Sequence, residues 1–563
     1  MLLQKVAIEN FRGLKNLALD LDATTVLIGE NNSGKSSVLD AIKLCLSRNV
    51  RGNPFEDQDH YLGSSTAAPG DAGAIKITLQ FRESQAGEWP PEVIQAFPDA
   101  AVFDASGLYN IIFMVTSSYD QAVKDFVSSW DFLDPTGKAL VRAKRSSTLS
   151  SLQSLFNVYY LTAFRDAAKD FSAKSAFWGP FLRNPLIPDN VKADLEKELA
   201  DLNTKILNAE QRLKQVGTNL GKAQKVVSLG KVDTVSIEAI PSRIWDMLSR
   251  AQVNVAAITG ASLPLMKHGA GTQSLASIFL FQAFLAAGIG KVDPFASFLL
   301  QIEEPEAHLH PSAVRSLWPT LNASSEQKII ATHSGDLLSE VPLSSVRRLV
   351  RTAQGVVVKS LNASVFDPGE LDKVTFHIRQ YRGELFFARV WLLHEGQTEY
   401  WVLSEAARAL GGSLDQQGVR LVEYANFGLG TLIKLADQFG IAWHVVSDSD
   451  PAGTDYNGIA TSALSGRPAD AHITMLPQVD MESFLCANGF DQIYIDNVPA
   501  QKSQQVTAAP GTAEYWPQVI SALPKRLKIP CAIKVAAALQ AGGAAAVPAL
   551  IKSILEKAVL LGA

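Results

Sequence analysis

The segment TVLIGENNSGKSSVLDAIKLCL, residues 25–46, decides the fold of the first half of the chain. Its centre, residues 29–36, matches the P-loop pattern G-x-x-x-x-G-K-[ST] in full. The apolar run before it, residues 25–28, predicts a strand, and residues 36–46 predict a helix. Glycines let such a loop wrap closely round phosphates, while backbone N–H groups and the helix dipole attract them. The segment therefore predicts a phosphate-binding loop between a strand and a helix.

Different residues of this loop are predicted to contact different parts of a bound nucleoside triphosphate. Lys35 would reach the β- and γ-phosphates, and the Ser36 hydroxyl would ligate Mg²⁺. Asn32, Gly34 and Ser37 are the remaining predicted contacts of the loop. ATP with Mg²⁺ is therefore the cofactor that we expect here.

Two further apolar runs predict strands that end at polar residues. Residues 298–302 lead into Glu303 and Glu304, and residues 328–332 lead into His333. Beside a P-loop, Glu303 would ligate the metal ion, and Glu304 would act as general base for the attacking water. We expect all three side chains at the sheet edge that carries the P-loop.

A second set of acidic residues stands in the last third of the chain. Its members are Glu395, Glu399, Asp448 and Asp450. Residues 389–394 and 441–446 are apolar runs that predict strands, and the acidic motifs follow them directly. Strands that alternate with helices predict a parallel sheet, whose carboxyl ends share one edge. Because oxygen ligands favour Mg²⁺ or Mn²⁺ over zinc, we expect a divalent-metal site.

Two pairs of residues have both a metal-binding and a structural interpretation. Asp480 and Glu482 would either provide a second metal site, for an in-line displacement, or form an acidic cap at a helix N-terminus. His308 and His310 follow the first acidic pair in the sequence. We interpret them as structural, since no third ligand lies nearby in the sequence.

Five motifs in the first two thirds of the chain resemble the ABC-type ATPases of the SMC and RecF group. They are residues 8–14, the P-loop, residues 269–274, residues 303–311 with the Walker B glutamates, and residues 331–334. The resemblance implies that Gly271 and Ser274 belong to a signature segment, which closes on ATP held by a second protomer. It also implies that His333 is the switch histidine that senses the γ-phosphate. Glu303 stands where the group usually has Asp, which leaves the geometry of Mg²⁺ ligation open.

The acidic motifs of the last third resemble the Toprim domain, with a glutamate at one strand end and a D-x-D pair at another. An SMC-like ATPase followed by a Toprim domain resembles the OLD (overcoming lysogenisation defect) nucleases, including the nuclease subunit of Gabija-type phage defence. Residues 159–166, YYLTAFRD, also resemble a segment of that family. Lys534 is similar in position to the family's late catalytic lysine, with Lys525 and Lys528 as alternatives.

This resemblance implies an α/β fold in four parts. Residues 1–175 are the first ATPase segment with the P-loop, and residues 261–375 are the second, with the signature, Walker B and switch histidine. Residues 176–260 are a helical insert, and residues 376–563 are the Toprim nuclease domain with a parallel sheet. Within the insert, apolar residues recur at spacings of four and three from Leu195 to Leu220. This pattern predicts either a short coiled coil for dimerisation or an amphipathic helix packed on its own domain.

The composition limits the partners and the compartment. Of the 563 residues, 47% are hydrophobic and 19% are charged, which is typical of a globular chain of two to four domains. The net charge of −5 excludes a global basic field, so any nucleic-acid surface must be a local patch. Three cysteines far apart, without a signal peptide or membrane span, indicate the reducing cytoplasm. The most apolar helix candidate, residues 274–290, is predicted to be a core helix.

The two sites together favour a metal-dependent DNA endonuclease that is gated by ATP. Family resemblance adds a homodimer or higher oligomer, a role in phage defence and a helicase as partner. The alternative is a DNA-binding ATPase sensor or repair clamp whose Toprim fold only recruits partners. A topoisomerase would need a tyrosine nucleophile on a separate domain, and a bacterial primase usually carries a zinc module. The sequence leaves room for neither.

Overall fold

The computed structural model describes most of the 563 residues. Outside the described part lie residues 64–67, 163–178, 180–186, 211, 214, 217–237, 249–250, 252, 257–259, 261, 287–292, 324–325, 382 and 426. Arg165 and Asp166 of the segment 159–166, and Leu220 of the heptad pattern, fall among these.

The described elements follow the predicted alternation of strands and helices. The strands are β1 (Leu3–Phe11), β2 (Leu14–Asp20), β3 (Thr24–Gly29), β4 (Ile75–Arg82), β5 (Val102–Phe103), β6 (Tyr109–Asp120), β7 (Asp125–Leu133), β8 (Phe156–Leu161), β9 (Asn254–Ala256), β10 (Ser262–Pro264), β11 (Ser297–Glu303), β12 (Gln327–Ala331), β13 (Val346–Thr352), β14 (Gly355–Ser360), β15 (Val390–His394), β16 (Val419–Glu423), β17 (Ala442–Ser447) and β18 (Ile473–Met475). The helices are α1 (Lys35–Leu46), α2 (Pro91–Gln95), α3 (Ser146–Leu155), α4 (Asp189–Ala209), α5 (Ile244–Leu248), α6 (Ala270–Ala286), α7 (Pro311–Ala323), α8 (Gly335–Leu338), α9 (Pro368–Tyr381), α10 (Gln397–Ala409), α11 (Leu429–Phe439), α12 (Pro451–Ser462), α13 (Ala469–His472), α14 (Met481–Leu485), α15 (Asp491–Ile495), α16 (Ala500–Ser503), α17 (Tyr515–Ala522), α18 (Lys528–Gly542) and α19 (Ala549–Leu561).

Two sheets build the ATPase half. The first is antiparallel and holds β1, β2, β4, β5, β6 and β7. The second runs in the order β14-β13-β3-β12-β11-β8, and only β14 is antiparallel to its neighbour. Its central strands are almost entirely buried, as expected of parallel strands covered on both faces. Because β3, β12 and β11 are neighbours, the P-loop, the switch histidine and the Walker B glutamates share one edge, which confirms the predicted arrangement of these strands.

The Toprim half is a parallel sheet of order β16-β15-β17-β18. The two strands that lead into the acidic motifs, β15 and β17, are adjacent at its centre. Their side chains alternate between two cores, with Trp391 and Trp443 on one face and Leu392 and Val446 on the other. The first of these cores also contains Ile330 of β12, so the ATPase and Toprim halves share one hydrophobic cluster.

The two helices predicted in or beside the insert differ sharply in burial. α6 buries Ile278, Phe281 and Phe284, which confirms the core-helix prediction for its described part. In α4 no residue is buried, and Leu195 and Leu202 are 39% and 48% exposed. Leu199 and Ile206 of the same seam are half-buried, so the described residues cover the seam only in part, and both interpretations of the pattern stay open.

One helical run among the described residues, Lys525–Ala546, is long and apolar enough to span a membrane by composition. It includes α18, whose buried residues Cys531, Val535 and Leu539 belong to the second core of the Toprim sheet. The apolar residues of this run that are buried therefore pack inside the Toprim domain. We therefore assign the run to the Toprim core.

Candidate active sites

A cavity of about 250 Å³ opens at the carboxyl edge of the ATPase sheet. It is lined by Asn31, Asn32, Gly34, Lys35, Ser36, Ser37, Glu303, Glu304, Ala331 and His333. The structure thus brings together P-loop, Walker B and switch residues that lie up to 300 positions apart in the numbering. α1 begins at Lys35, so the positive end of its dipole adjoins this cavity.

Lys35 is a buried cation that binds the loop around it. Its ammonium donates to the carbonyl oxygens of Gly29 and Glu30, each at 2.9 Å. Burial lowers the pKa of Lys35 to about 8, against the opposing effect of Glu304 and Glu303. A phosphate group would give the ammonium an anionic acceptor and so favour its charged form.

Glu303 reaches the P-loop although it replaces the usual aspartate. One of its carboxylate oxygens accepts a hydrogen bond from the Ser36 hydroxyl, and the other accepts one from the Tyr160 hydroxyl at 2.8 Å. The two groups predicted to share Mg²⁺ are therefore in contact. Burial and the Glu303 carboxylate raise the pKa of Tyr160, which stays a hydrogen-bond donor. The sequence analysis included Tyr160 in the segment 159–166 but assigned it no role, because that role depends on the pairing of β8 with β11.

Glu304 and His333 line the cavity from neighbouring strand ends. Glu304 has a φ of 45°, and such unfavourable conformations of non-glycine residues concentrate at functional sites. Glu306 positions the histidine, because its carboxylate accepts from the Thr332 hydroxyl and from the His333 backbone N–H, both at 2.8 Å. The sequence had placed Glu306 in a motif without a role. The surrounding protein and the Lys35 ammonium lower the pKa of His333, so its imidazole is neutral near pH 7.

The signature residues Gly271 and Ser274 do not line this cavity. They stand in the first turns of α6, where a Cβ on Gly271 would lie 2.6 Å from the carbonyl oxygen of His308. The loop after Walker B therefore packs on the signature through its backbone, which agrees with the structural interpretation of His308. The role of the signature at the nucleotide of a second copy stays a prediction.

Acidic side chains from three segments meet at the carboxyl edge of the Toprim sheet. The pKa of Asp448 is raised to about 9. Burial is the largest cause, and the other causes are the negative charges of Glu399, Glu395, Asp480 and Glu482. Burial and Glu482 raise the pKa of Glu399 to about 7. Burial, Asp450 and Glu482 raise the pKa of Glu395. The structure therefore brings together all the carboxylates predicted at this edge.

Backbone N–H groups hold two of these carboxylates at helix starts. Glu399 accepts from Gly396 N–H at 3.0 Å, and Asp450 accepts from Gly453 N–H at 2.7 Å. Gly453 has no room for a side chain, because a Cβ would lie 2.1 Å from the carbonyl oxygen of Asp448. Both acidic motifs thus cap the helix that follows their strand, in addition to any metal they bind.

Asp480 and Glu482 lie beside this cluster in different roles. Asp480 accepts from Ser483 N–H at 2.8 Å as the N-cap of α14, which confirms the cap interpretation for this residue. Glu482 is buried and accepts from the Thr398 hydroxyl at 3.0 Å. Because Thr398 lies between the two glutamates of the Toprim motif, Glu482 is held against the predicted metal site.

The lysine beside these carboxylates is Lys528, not Lys534. The Lys528 ammonium lies 3.3 Å from Glu482 and 3.8 Å from Asp480. Burial by itself would lower the pKa of Lys528. The two carboxylates outweigh this effect, so the pKa of Lys528 is raised. Lys534 donates instead to the side-chain oxygen of Asn497 at 3.3 Å. Six residues correspond to about two thirds of a turn beyond one full turn, so the two lysines leave α18 in different directions. Of Lys534 and its two predicted alternatives, Lys528 is therefore the lysine that contacts the carboxylates, and its catalytic role stays a prediction.

The donor set of this edge fits a hard divalent ion. One oxygen of Glu395 is buried and accepts no hydrogen bond from the described residues, a deficit that a cation would satisfy. The described residues contain no ready-made group of three or more His, Cys, Asp or Glu side chains that could hold a metal ion.

Because these carboxylates are crowded together, we expect the free energy of unfolding to fall as the pH rises. Asp448 keeps its proton to a higher pH in the folded than in the unfolded state, so folding loses stability between about pH 4 and pH 9. Without divalent ions, Asp448→Asn should raise the free energy of unfolding at pH 8 by about 1–2 kcal/mol, roughly the value of one pKa unit. Urea unfolding measures this difference, which should shrink at pH 5. Asp455→Asn, exposed on α12, is the control, and equal stability of Asp448→Asn and wild type at pH 8 would contradict the prediction.

An ABC-type nucleotide site and a Toprim carboxylate site on one chain define an ATPase–Toprim protein. Residues 1–384 match the family described as "Protein of unknown function (DUF2813)". Residues 386–450 match the model "Overcoming lysogenization defect protein-like, TOPRIM domain". The chain therefore belongs to the DUF2813 family, within the OLD-type ATPase–Toprim nucleases.

Curated relatives span nearly the same architecture. The chain is 31% identical to "Uncharacterized protein YbjD" of Escherichia coli K12, with 100% of this chain and 99% of that protein covered. It is 26% identical to the "OLD nuclease" of Thermus scotoductus, with 80% and 82% covered. It is 21% identical to "Endonuclease GajA" of Bacillus cereus, with 80% and 75% covered. These matches confirm the resemblance to the OLD family that the motifs indicated.

Proposed function

We propose that this chain is a divalent-metal-dependent DNA endonuclease whose cutting is controlled by ATP. The proposal is carried by the acidic edge of the Toprim sheet, where carboxylates from three segments lie together with Lys528. The names of two relatives, an OLD nuclease and an endonuclease, support a phosphodiester as the substrate. DNA is the polymer that we infer.

At this edge, each side chain has a proposed role. The metal would be held by Glu395, Glu399, Asp448 and Asp450, with Asp480 and Glu482 available to a second ion. A bound Mg²⁺ or Mn²⁺ supplies Lewis acidity and an activated water. Lys528 presents an ammonium beside Glu482, from where it neutralises charge that builds on the phosphate or the leaving oxygen. Thr398 holds Glu482 in place through its hydroxyl.

At the nucleotide site, the P-loop would bind ATP and the Walker B pair would act on it. The phosphates and Mg²⁺ would contact Asn32, Gly34, Lys35, Ser36, Ser37 and Glu303. Glu304 takes the proton of the attacking water, and His333 senses the γ-phosphate. Tyr160 and Glu306 orient Glu303 and His333 through the hydrogen bonds described above.

A homodimer is part of the proposal. Gly271 and Ser274 do not line the cavity of their own chain, and the apolar seam of α4 is only partly covered by the described residues, with Leu195 and Leu202 exposed. In a homodimer, the signature of each copy would complete the nucleotide site of the other, and the seam of α4 would pack against the partner. A cytoplasmic location rests on the separated cysteines, and a role in phage defence and a helicase partner rest on family resemblance.

Plasmid cleavage tests the proposed activity directly. Purified protein would be incubated with supercoiled plasmid in Mg²⁺, Mn²⁺ or EDTA, each with and without ATP. Metal-dependent conversion to nicked or linear DNA supports the endonuclease. ATP hydrolysis and DNA binding without conversion under any condition would favour the sensor alternative.

The two lysines of α18 make a matched pair of variants. Lys528→Ala should slow cleavage on the order of a hundredfold, because it removes the cation beside Glu482. Lys534→Ala should cut at close to the wild-type rate, since its ammonium contacts Asn497 instead. Single-turnover cleavage rates at saturating Mn²⁺ measure both. The reverse order of the two rates would restore the original assignment to Lys534.

A further inference from the structure

Arg348 is a buried arginine of the ATPase sheet that binds the Toprim half. It lies on β13, is 4% exposed, and donates to four backbone carbonyl oxygens at 2.7–3.0 Å. The four acceptors belong to Phe386, Ala388, Phe439 and Gly440. Burial lowers the pKa of Arg348 to about 10, so the guanidinium is still charged at neutral pH. A buried cation is therefore held by backbone dipoles of the other domain.

These carbonyls stand at the amino ends of the two strands that lead to the acidic motifs. Ala388 precedes β15 by two residues, and Gly440 precedes β17 by two residues. Phe439 ends α11, so the guanidinium also caps the negative end of that helix. The acidic motifs begin beyond the opposite ends of the same strands, roughly 23–26 Å along the chain from Ala388 and Gly440 at about 3.3 Å per residue. Any shift of Arg348 therefore acts on both strands together.

The backbone of Arg348 is also joined to the P-loop. β13 pairs with β3 so that Arg348 lies opposite Ile28, and Leu349 lies opposite Gly29, the first residue of the loop. Glu30, the next loop residue, forms an ion pair of 3.3 Å with Arg389, which directly precedes β15. The nucleotide site is thus linked to β15 through a sheet pairing and through a surface ion pair.

The turn that receives Arg348 also faces the switch histidine. The ring of Phe387 lies nearly parallel to the ring of His333, with centroids 6.4 Å apart. Phe386 and Ala388, the residues on either side, offer their carbonyls to Arg348. Residues 386–388 therefore contact both the γ-phosphate sensor and the buried arginine before they continue into β15.

We propose that Arg348 is a positioning residue for the Toprim site, which couples the state of the nucleotide site to β15 and β17. The inference rests on the proposed function for the roles of the two sites. Closure of the P-loop on ATP moves β3 and β13 together, since their backbones are hydrogen-bonded. The planar guanidinium passes this movement to the amino ends of both Toprim strands through directional bonds. The pair of Glu30 and Arg389 contributes less, because both side chains are about half exposed.

Hydrogen–deuterium exchange of the full chain tests this coupling without relying on cleavage. A non-hydrolysable ATP analogue with Mg²⁺ should change exchange in residues 386–395 and 439–448 of the wild type, as well as in the P-loop. Arg348→Lys keeps the charge but loses the planar fork, so the Toprim response should fall roughly 2- to 30-fold while the P-loop response remains.

Arg347→Lys is the matched control on the same strand. Arg347 bonds to Asp22 and to the backbone oxygens of Asp20, Ser344 and Val346, all within the ATPase half. In Arg347→Lys, the change in exchange of the Toprim half on binding the ATP analogue should equal that of the wild type. Arg389→Ala, a change at the surface, should reduce the response roughly twofold. If Arg348→Lys does not fold, Arg389→Ala decides the test. Loss of most of the response would assign the coupling to the surface ion pair and overturn the proposal, whereas retention of about half would support it.

Two results would overturn the coupling. One is a wild-type Toprim half whose exchange does not respond to the nucleotide, and the other is an undiminished response in Arg348→Lys. Plasmid cutting by the same samples separates this proposal from the endonuclease. Absence of cutting with the exchange response intact would remove the nuclease activity and leave the coupling in place.

Discussion

Replacing Asp448 with alanine is expected to reduce metal-dependent plasmid cleavage on the order of a thousandfold or more, while ATP hydrolysis continues. Asp448 lies among Glu395, Glu399, Asp480 and Glu482. Burial raises the pKa of Asp448 most, and the charges of these four residues raise it further. The change therefore removes one carboxyl ligand from the centre of the proposed metal site. The nucleotide cavity is lined by none of these residues, so its chemistry should persist.

Asp455→Ala provides the control for this result. Asp455 is exposed on α12, the helix that Asp450 caps, and its replacement also removes an aspartate side chain from this part of the domain. It should cut plasmid at the wild-type rate. Undiminished cutting by Asp448→Ala in Mg²⁺ or Mn²⁺ would show that the Toprim edge does not perform the cleavage.

Lys35→Ala should lower ATP hydrolysis roughly a thousandfold, because the buried ammonium is the cation that contacts the transferred phosphate. In the free protein this ammonium already lies within the loop, bonded to the Gly29 and Glu30 carbonyls. Phosphate release from purified protein measures the effect. Lys15→Ala, exposed on β2, is the control for loss of a lysine. Hydrolysis by Lys35→Ala at the wild-type rate would remove the P-loop from the ATPase mechanism.

Glu304→Gln separates ATP binding from hydrolysis in the same assay. Glutamine keeps the size of the side chain but cannot accept the proton of the attacking water, so the variant should bind ATP and retain it. If the signature of a second copy closes over the trapped nucleotide, light scattering should show dimers accumulating with ATP. Equal turnover by Glu304→Gln and wild type would mean that another group is the base.

The combination of these variants tests whether the two sites act on one another. An Asp448→Ala protein that hydrolyses ATP and a Lys35→Ala protein that still binds metal would establish two separable chemistries. The response of the Toprim strands to nucleotide would then report on the links between the two sites, namely the four bonds of Arg348 and the ion pair of Glu30 with Arg389.

The sequence by itself determined the two sites and their order along the chain. A P-loop is a contiguous motif, so residues 29–36 sufficed to predict the nucleotide site. Glu303, His333, Glu395 and Asp448 each follow an apolar run that reads as a strand. Because parallel strands bring their carboxyl ends to one edge, placing a polar residue after such a run was enough to predict that these groups meet.

The tertiary structure alone decided which partners hold those groups. Tyr160 bonds Glu303 only because β8 pairs with β11, and Glu306 bonds the His333 backbone across a sheet edge. The rotation of α18 about its axis brought Lys528 rather than Lys534 to the carboxylates. Arg348 carries no motif, and its acceptors are backbone carbonyls, which every residue possesses. Such contacts depend on strand register, helix rotation and domain packing, which a local pattern of residue types does not encode.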